Sequence, residues 1–214
     1  AVPVSLEIGL YAFVIALLLG VTLGIIAALK QNSWFDYILM GFAMTGVVIP
    51  SFVKAPLLVL IFAITLKWLP AGGWNGGAAI NMVLPVTALA LAYTAGIARI
   101  MRGSMIEVLN SPFIRTAKAK GLSMPYIVFK HALRPAMLPV ISYLGPALVG
   151  IVTGSIVIET IFGLPGIGQL FVNGALNRDY GLVLSLTILL GTLTIAFNAV
   201  ADVLYAVVDP KIRY

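Results

Sequence analysis

Residues 111–139 read SPFIRTAKAKGLSMPYIVFKHALRPAMLP and form the one long polar and basic stretch of an otherwise apolar chain. No acidic residue occurs in it, and its basic side chains are Arg115, Lys118, Lys120, Lys130, His131 and Arg134. A membrane protein that concentrates its polar residues in one such element is expected to present that element to a soluble partner.

The local sequence of this stretch predicts two short helices joined at a glycine. Ser111 suits an N-cap and Pro112 the first helical position, so a helix is expected over 113–120. Gly121 is suited to the left-handed residue that ends it. Ser123 caps again, and a second helix is expected over 126–133.

Composition places the chain in the membrane. Of its 214 residues, 61% are hydrophobic and 9% charged, whereas soluble domains carry about 25% charged residues. The net charge of +6 would suggest nucleic acid in a soluble chain, but here membrane topology explains it better. The sequence predicts an all-α, polytopic membrane helix bundle.

A helix needs about 20 apolar residues to cross a bilayer, and five segments qualify. The second follows an interfacial lead-in and is expected to be broken at Pro50 and Pro56. No soluble domain fits between the spans, so residues 1–214 are predicted to form one transmembrane domain. The five spans are 6–29, 45–66, 80–98, 137–158 and 182–203.

Basic residues predict the orientation. If the 111–139 stretch is cytoplasmic, only Lys67 and Arg178 lie in outside loops. The C-terminus is then cytoplasmic and Ala1 outside, so an earlier span is expected and the full protein would have six. The residues placed inside are Lys30, Arg99, Arg102, Arg115, Lys118, Lys120, Lys130, Arg134, Lys211 and Arg213.

The third span is predicted to continue past the membrane as one amphipathic helix, because apolar residues recur at helical spacing as far as Leu109. The residues on this apolar face are Ile97, Ile100, Met101, Ser104, Met105, Val108 and Leu109. Residues 99–136 therefore form one cytoplasmic region.

The sequence contains no recognisable catalytic constellation. The glycine-rich run 163–168 lacks the lysine of a phosphate-binding loop, so the chain is not expected to bind ATP. With no cysteine and only His131, no metal site is predicted, and His131 is assigned a surface or packing role. A membrane-embedded or lipid-processing enzyme is disfavoured because no acid–base cluster lies within the spans.

Two charged residues outside the basic stretch are candidates for function. Lys54 lies within the broken second span, where a charge is costly and often marks a transport pathway; snorkelling or pairing inside the bundle is the alternative. Glu159 ends the fourth span and begins an outside loop, 159–181. It is a candidate for the pathway or for docking a binding protein, or else an interfacial residue.

Residues 115–122 (RTAKAKGL) and 130–139 (KHALRPAMLP) resemble the EAA loop of ABC-importer permeases. The glutamate of the general motif falls on Arg115, and its closing proline falls one place later, on Pro135. Together with 159–169, 178–180 and 209–214 (DPKIRY), the chain is most similar to the B-type inner-membrane subunit of bacterial oligopeptide permeases.

The resemblance implies a bacterial inner-membrane transport subunit that is not itself an enzyme. A second permease subunit would complete the pathway, and an extracytoplasmic binding protein would deliver peptide. Two cytoplasmic subunits would bind ATP and Mg and grip the loop, with Phe113, Ile114 and Ala117 buried in the ATPase. The implied coupling residues are Phe113, Ile114, Arg115, Ala117, Lys118, Ala119 and Gly121.

Other transport functions remain open at this point. Within the same branch, the cargo could be a dipeptide, nickel or a glycoside. A passive channel or secondary transporter would work without an ATPase and would have no need of the basic stretch.

Overall fold

Helices dominate the computed structural model, which describes residues 1–208 except for the side chains of 152–154, 201 and 204–208. No strand occurs in the described part, in agreement with the predicted all-α fold. The helices are α1 Val2–Leu29, α2 Trp34–Val48, α3 Ser51–Leu58, α4 Ala79–Leu109, α5 Pro112–Ala119, α6 Met124–Tyr126, α7 Leu133–Phe162, α8 Ile167–Leu176 and α9 Tyr180–Val208. The 209–214 motif, with Lys211 and Arg213, lies outside the described residues.

Four helical segments are long and apolar enough to cross a membrane: Val2–Leu29, Ala79–Leu109, Met124–Ile151 and Tyr180–Val200. A bent pair, Trp34–Val48 with Ser51–Thr65, corresponds to the second predicted span, brings the number of spans to five and turns by 108°. A second bent pair, Ser155–Phe162 with Ile167–Leu176, turns by 81° and allows a sixth. The outside loop predicted over 159–181 therefore contains a helix, α8.

The second span differs from its prediction. Its lead-in is the regular helix α2, and the sharp break falls at Ile49 and Pro50, the first of the two predicted prolines. Ile49 is extended, with φ −84° and ψ 118°, because a residue before proline is disfavoured in the helical region. Pro56 lies inside α3, and the helix continues beyond it through the π-helical segment Val59–Thr65.

The central packing contact joins α1 to α4. Small buried residues recur every four positions along one face of α1, which lets the two helix backbones approach closely. A Cβ at Gly20 would lie 2.7 Å from Ile97, and a Cβ at Gly24 would lie 2.6 Å from Met101. The residues of this α1 seam are Ala12, Ala16, Gly20, Gly24 and Ala28.

The predicted extension of the third span is present as the second half of α4. This helix runs unbroken for 31 residues, or about 46 Å, which exceeds a hydrocarbon core of about 30 Å. Met101 and Met105 are fully buried along the predicted apolar face. Because only Asn110 and Ser111 separate α4 from α5, the position of α5 is set by the end of α4.

The separate helix predicted over 126–133 is wrong. Residues 124–162 form one helical run, in which the π-helical segment Ile127–Ala132 joins α6 to α7. The backbone N–H of Leu133 donates to the carbonyl of Val128, five residues back. Such wide turns let the helix continue toward Pro135, which has no N–H to donate.

Candidate coupling site

The predicted coupling element is a short amphipathic helix with one face against its own chain. In α5, Ile114 is fully buried and Ala117 is 7% exposed, three positions apart on one face of the helix. The Ser111 hydroxyl donates to the carbonyl of Val108 at 2.6 Å, which fastens the start of α5 to the end of α4.

This orientation corrects the predicted contacts of Ile114 and Ala117. Both were expected to be buried in a partner, but they already pack inside the permease and cannot also fill a partner's pocket in this conformation. Phe113 alone of the three apolar candidates projects outward, with 49% of its surface exposed.

The outer face of α5 is basic. Arg115, Lys118, Ala119 and Lys120 are all exposed. In the described part of the chain, the one ion pair joins Arg102 to Asp36, so the cations of α5 have no carboxylate within ion-pair distance. The exposed surface is therefore a phenylalanine bordered by positive charges, a combination suited to an acidic groove with an apolar pocket.

Gly121 ends α5 in the left-handed conformation, as predicted, with φ +77°. No neighbouring atom would lie within 4 Å of a Cβ at this position. The requirement for glycine is therefore one of backbone conformation rather than of space.

We expect Gly121→Val to displace the turn between α5 and α6 and to reduce transport strongly, because a β-branched residue in this conformation costs about 1–2 kcal/mol or more. Gly121→Asn should retain most activity, since asparagine tolerates positive φ. Substrate uptake normalised to membrane-inserted protein measures the effect. Wild-type uptake by the Gly121→Val variant would show that the turn is not critical.

Lys54 is brought to the break of the second span. Its side chain is 5% exposed, and its Nζ donates to the carbonyl of Gly46 at 2.5 Å. That carbonyl belongs to the last turn of α2, where helix carbonyls lack helical partners. The geometry supports the alternative of pairing within the bundle, since Lys54 joins the two arms of the bent pair.

Glu159 is brought to the start of α8 and is fully buried. Its Oε2 accepts a hydrogen bond from the N–H of Gly168 at 2.6 Å, while the hydroxyl of Ser5 accepts one from the N–H of Ile167 at 2.8 Å. These bonds satisfy two N–H groups that a helix start leaves free. A docking protein cannot contact this carboxylate in the conformation described here, so Glu159 caps α8 instead.

Asp36 was not among the residues predicted to be functional, yet it is 1% exposed and forms a two-point ion pair with Arg102. Arg102 Nε lies 2.6 Å from Oδ1, and Arg102 Nη2 lies 2.5 Å from Oδ2. The available signal in the sequence was Asp36, a single acid in the first turn after Ser33. It was predicted to lie on the same side of the membrane as Arg102, which is not part of the apolar face of α4.

His131 packs its ring edge-on against Tyr126, with ring centroids 5.6 Å apart. Within the described residues, no group of three or more His, Cys, Asp or Glu side chains is placed to hold a metal ion.

Comparisons with known proteins agree with the architecture. The family described as "Binding-protein-dependent transport system inner membrane component" matches residues 20–214. The oligopeptide transport system permease protein OppB of Haemophilus influenzae is 73% identical over 214 residues, covering 100% of this chain and 70% of the relative. The dipeptide transport system permease protein DppB of Bacillus subtilis is 47% identical over 211 residues, covering 99% and 68%.

Among solved structures, the inward-facing MetNI methionine ABC transporter matches with a TM-score of 0.78. The match covers 96% of this chain and 93% of that one at 15% identity, so it concerns the fold alone. Because the family match spans nearly all of the chain, and close relatives align along its full length, this protein belongs to the family of binding-protein-dependent transport system inner-membrane components, the permease subunits of ABC importers.

Proposed function

We propose that this chain is the transmembrane subunit of an ATP-driven oligopeptide importer in the bacterial inner membrane. The observation that carries the proposal is the full-length identity of 73% to an oligopeptide permease, against 47% to a dipeptide permease. That difference favours oligopeptides over dipeptides as the cargo.

The proposed assembly contains a second homologous permease subunit, two cytoplasmic ATP-binding subunits and an extracytoplasmic peptide-binding protein. ATP and Mg would be bound by the ATPase subunits, and this chain would carry no cofactor. The cytoplasmic side would hold α5, the 99–136 region and the C-terminus, as the distribution of basic residues favours.

The outer face of α5 is the proposed docking surface for one ATPase subunit. Phe113 would enter an apolar pocket, and Arg115 and Lys118 would face acidic residues around it. Ala119 would lie at the contact, and Gly121 would set the direction of the following helix. Ile114 and Ala117 would act from beneath by holding α5 on the permease.

Closure of the ATPase subunits would displace α5 and, through it, the end of α4. The bundle would then shift between inward- and outward-facing states, because ATP binds one arrangement of the ATPases more tightly than the other. The permease contributes a stiff connection and a selective path, while the partners supply the free energy.

The proposal is tested with the whole transporter in proteoliposomes. ATP inside the vesicles and peptide-loaded binding protein outside should produce uptake of a labelled oligopeptide, and excess dipeptide or nickel should compete poorly. Uptake without ATP would favour a channel or secondary transporter. ATP-dependent uptake of nickel or dipeptide alone would favour a different cargo.

Cysteine cross-linking tests the docking face, because the chain has no cysteine of its own. We expect Ala119→Cys to form a disulfide with single cysteines in the ATPase groove, with a yield that changes when ATP is added. Ala117→Cys is the matched control, since this position faces inward and should not cross-link. A link from 117 but not from 119 would contradict the orientation of α5.

A further inference from the structure

The N-terminal end of α2 is attached to the second half of α4 by the Asp36–Arg102 ion pair. Asp36 is almost completely buried, whereas 26% of the Arg102 side chain is exposed. Asp36 Oδ2 also accepts the N–H of Asn32 at 3.0 Å, and the Ser33 hydroxyl accepts the N–H of Asp36 at 3.3 Å. The carboxylate therefore holds the preceding turn and α4 together.

The C-terminal end of α2 is also held against α4. A Cβ at Gly46 would clash with the backbone carbonyl of Leu91 in α4, so the two backbones are in direct contact there. The carbonyl of the same glycine accepts the hydrogen bond from Lys54 in α3. Contacts at both ends therefore hold α2 against α4 and connect it to the far arm of the bent pair.

These contacts place a continuous connection between α5 and the bent pair. From α5 it passes through the unbroken helix α4, across the ion pair into α2, and across the Lys54 bond into α3. The ion pair is the one place where this path depends on side-chain charges near the cytoplasmic end. A two-point arginine–carboxylate pair fixes orientation as well as distance.

We propose that Asp36 and Arg102 are positioning residues for energy coupling: their ion pair makes α2 move together with α4 when the ATPase subunits displace α5. The inference rests on the proposed function for its source of motion. Without the pair, α4 and α5 would still move, but α2 and the bend at Pro50 would follow incompletely.

The test separates this role from simple stabilisation. Arg102→Gln alone leaves the buried Asp36 carboxylate unpaired and is expected to reduce the amount of folded protein, whereas Asp36→Asn leaves the partly exposed Arg102 unpaired and should cost less. The double variant Asp36→Asn/Arg102→Met removes both charges but leaves an amide oxygen that can accept the N–H of Asn32, and replacing both partners of a buried ion pair is often neutral for stability. We expect normal yield and thermal stability from the double variant, but a fall in peptide taken up per ATP hydrolysed of about fivefold or more.

Distance measurements provide a readout that does not depend on cargo. Spin labels at Phe42→Cys in α2 and Thr116→Cys in α5, both exposed and neither placed at the ATPase contact, are measured in the assembled transporter with and without ATP. We expect one narrow distance that ATP leaves unchanged when the ion pair is intact. In the double variant, the distribution should broaden or shift with ATP.

Two controls complete the test. Arg102→Lys keeps the positive charge and should retain part of the coupling, while Glu107→Gln changes an exposed charge on the same helix and should have no effect. A double variant with the wild-type uptake ratio and an unchanged distance would overturn the inference. If the wild type takes up no peptide, the proposed function fails, but the distances still decide whether the pair holds α2 to α4.

Discussion

Gly24→Leu should prevent normal assembly of the bundle. A Cβ at this position would lie 2.6 Å from Met101 Cβ and 2.7 Å from the carbonyl oxygen of Ala98, and a backbone carbonyl cannot rotate away. The helices α1 and α4 would have to separate, and the packing contacts along the whole α1 seam would then be lost. Overpacking of this kind costs about 3 kcal/mol or more.

The effect is measured as the yield of monodisperse protein in mild detergent and as its thermal unfolding temperature. Gly41→Leu is the matched control, because it also lies in an apolar helix but no atom would lie within 4 Å of its Cβ. If both variants lose yield and unfolding temperature equally, then helix propensity or membrane insertion, and not contact with α4, explains the result.

Glu159→Ala should have the second-largest effect. The substitution removes the acceptor for the N–H of Gly168 and leaves a cavity in a fully buried position. Removing one partner of a buried hydrogen bond costs about 1–3 kcal/mol, so a loss of about 3 kcal/mol is expected once the cavity is included. Cysteines introduced in α8 should then react faster with a water-soluble maleimide.

Two variants define the cause. Glu159→Gln keeps an oxygen for Gly168 and should lose much less stability than the alanine variant. Glu7→Ala removes a partly exposed carboxylate from α1 and should be close to neutral. If Glu159→Ala is as stable as Glu159→Gln, then Glu159 does not hold α8 in place. That result would favour the predicted role of Glu159 in transport.

Features carried by local sequence were predictable. Pro112 at the first helical position and Gly121 at the stop predict the helix over 113–120, although the Ser111 hydroxyl donates to Val108 instead of capping it. The apolar repeat through Met105 predicts the extension of α4. The basic residues and the long apolar segments define the class of protein. Each of these signals depends on residues close together in the chain.

Features that depend on distant contacts were not predictable. An amphipathic helix such as α5 shows which residues share a face, but not whether that face meets its own chain or a partner, and so Ile114 was misassigned. Glu159 lies next to a glycine-rich turn, yet only the fold shows that the turn folds back over it. Small residues recur at every fourth position of α1, but the sequence does not show which helix packs against them.

The buried face of α5 has a consequence for assembly. Because Ile114 and Ala117 anchor this helix on the permease, it is already folded before any ATPase subunit arrives. Ordering a segment of eight residues during binding would cost conformational entropy for each of them, and that cost is absent here. In the proposed assembly, a modest contact area around Phe113 would therefore be enough for a stable complex, and the binding free energy of the ATPase would be available for displacing the helix.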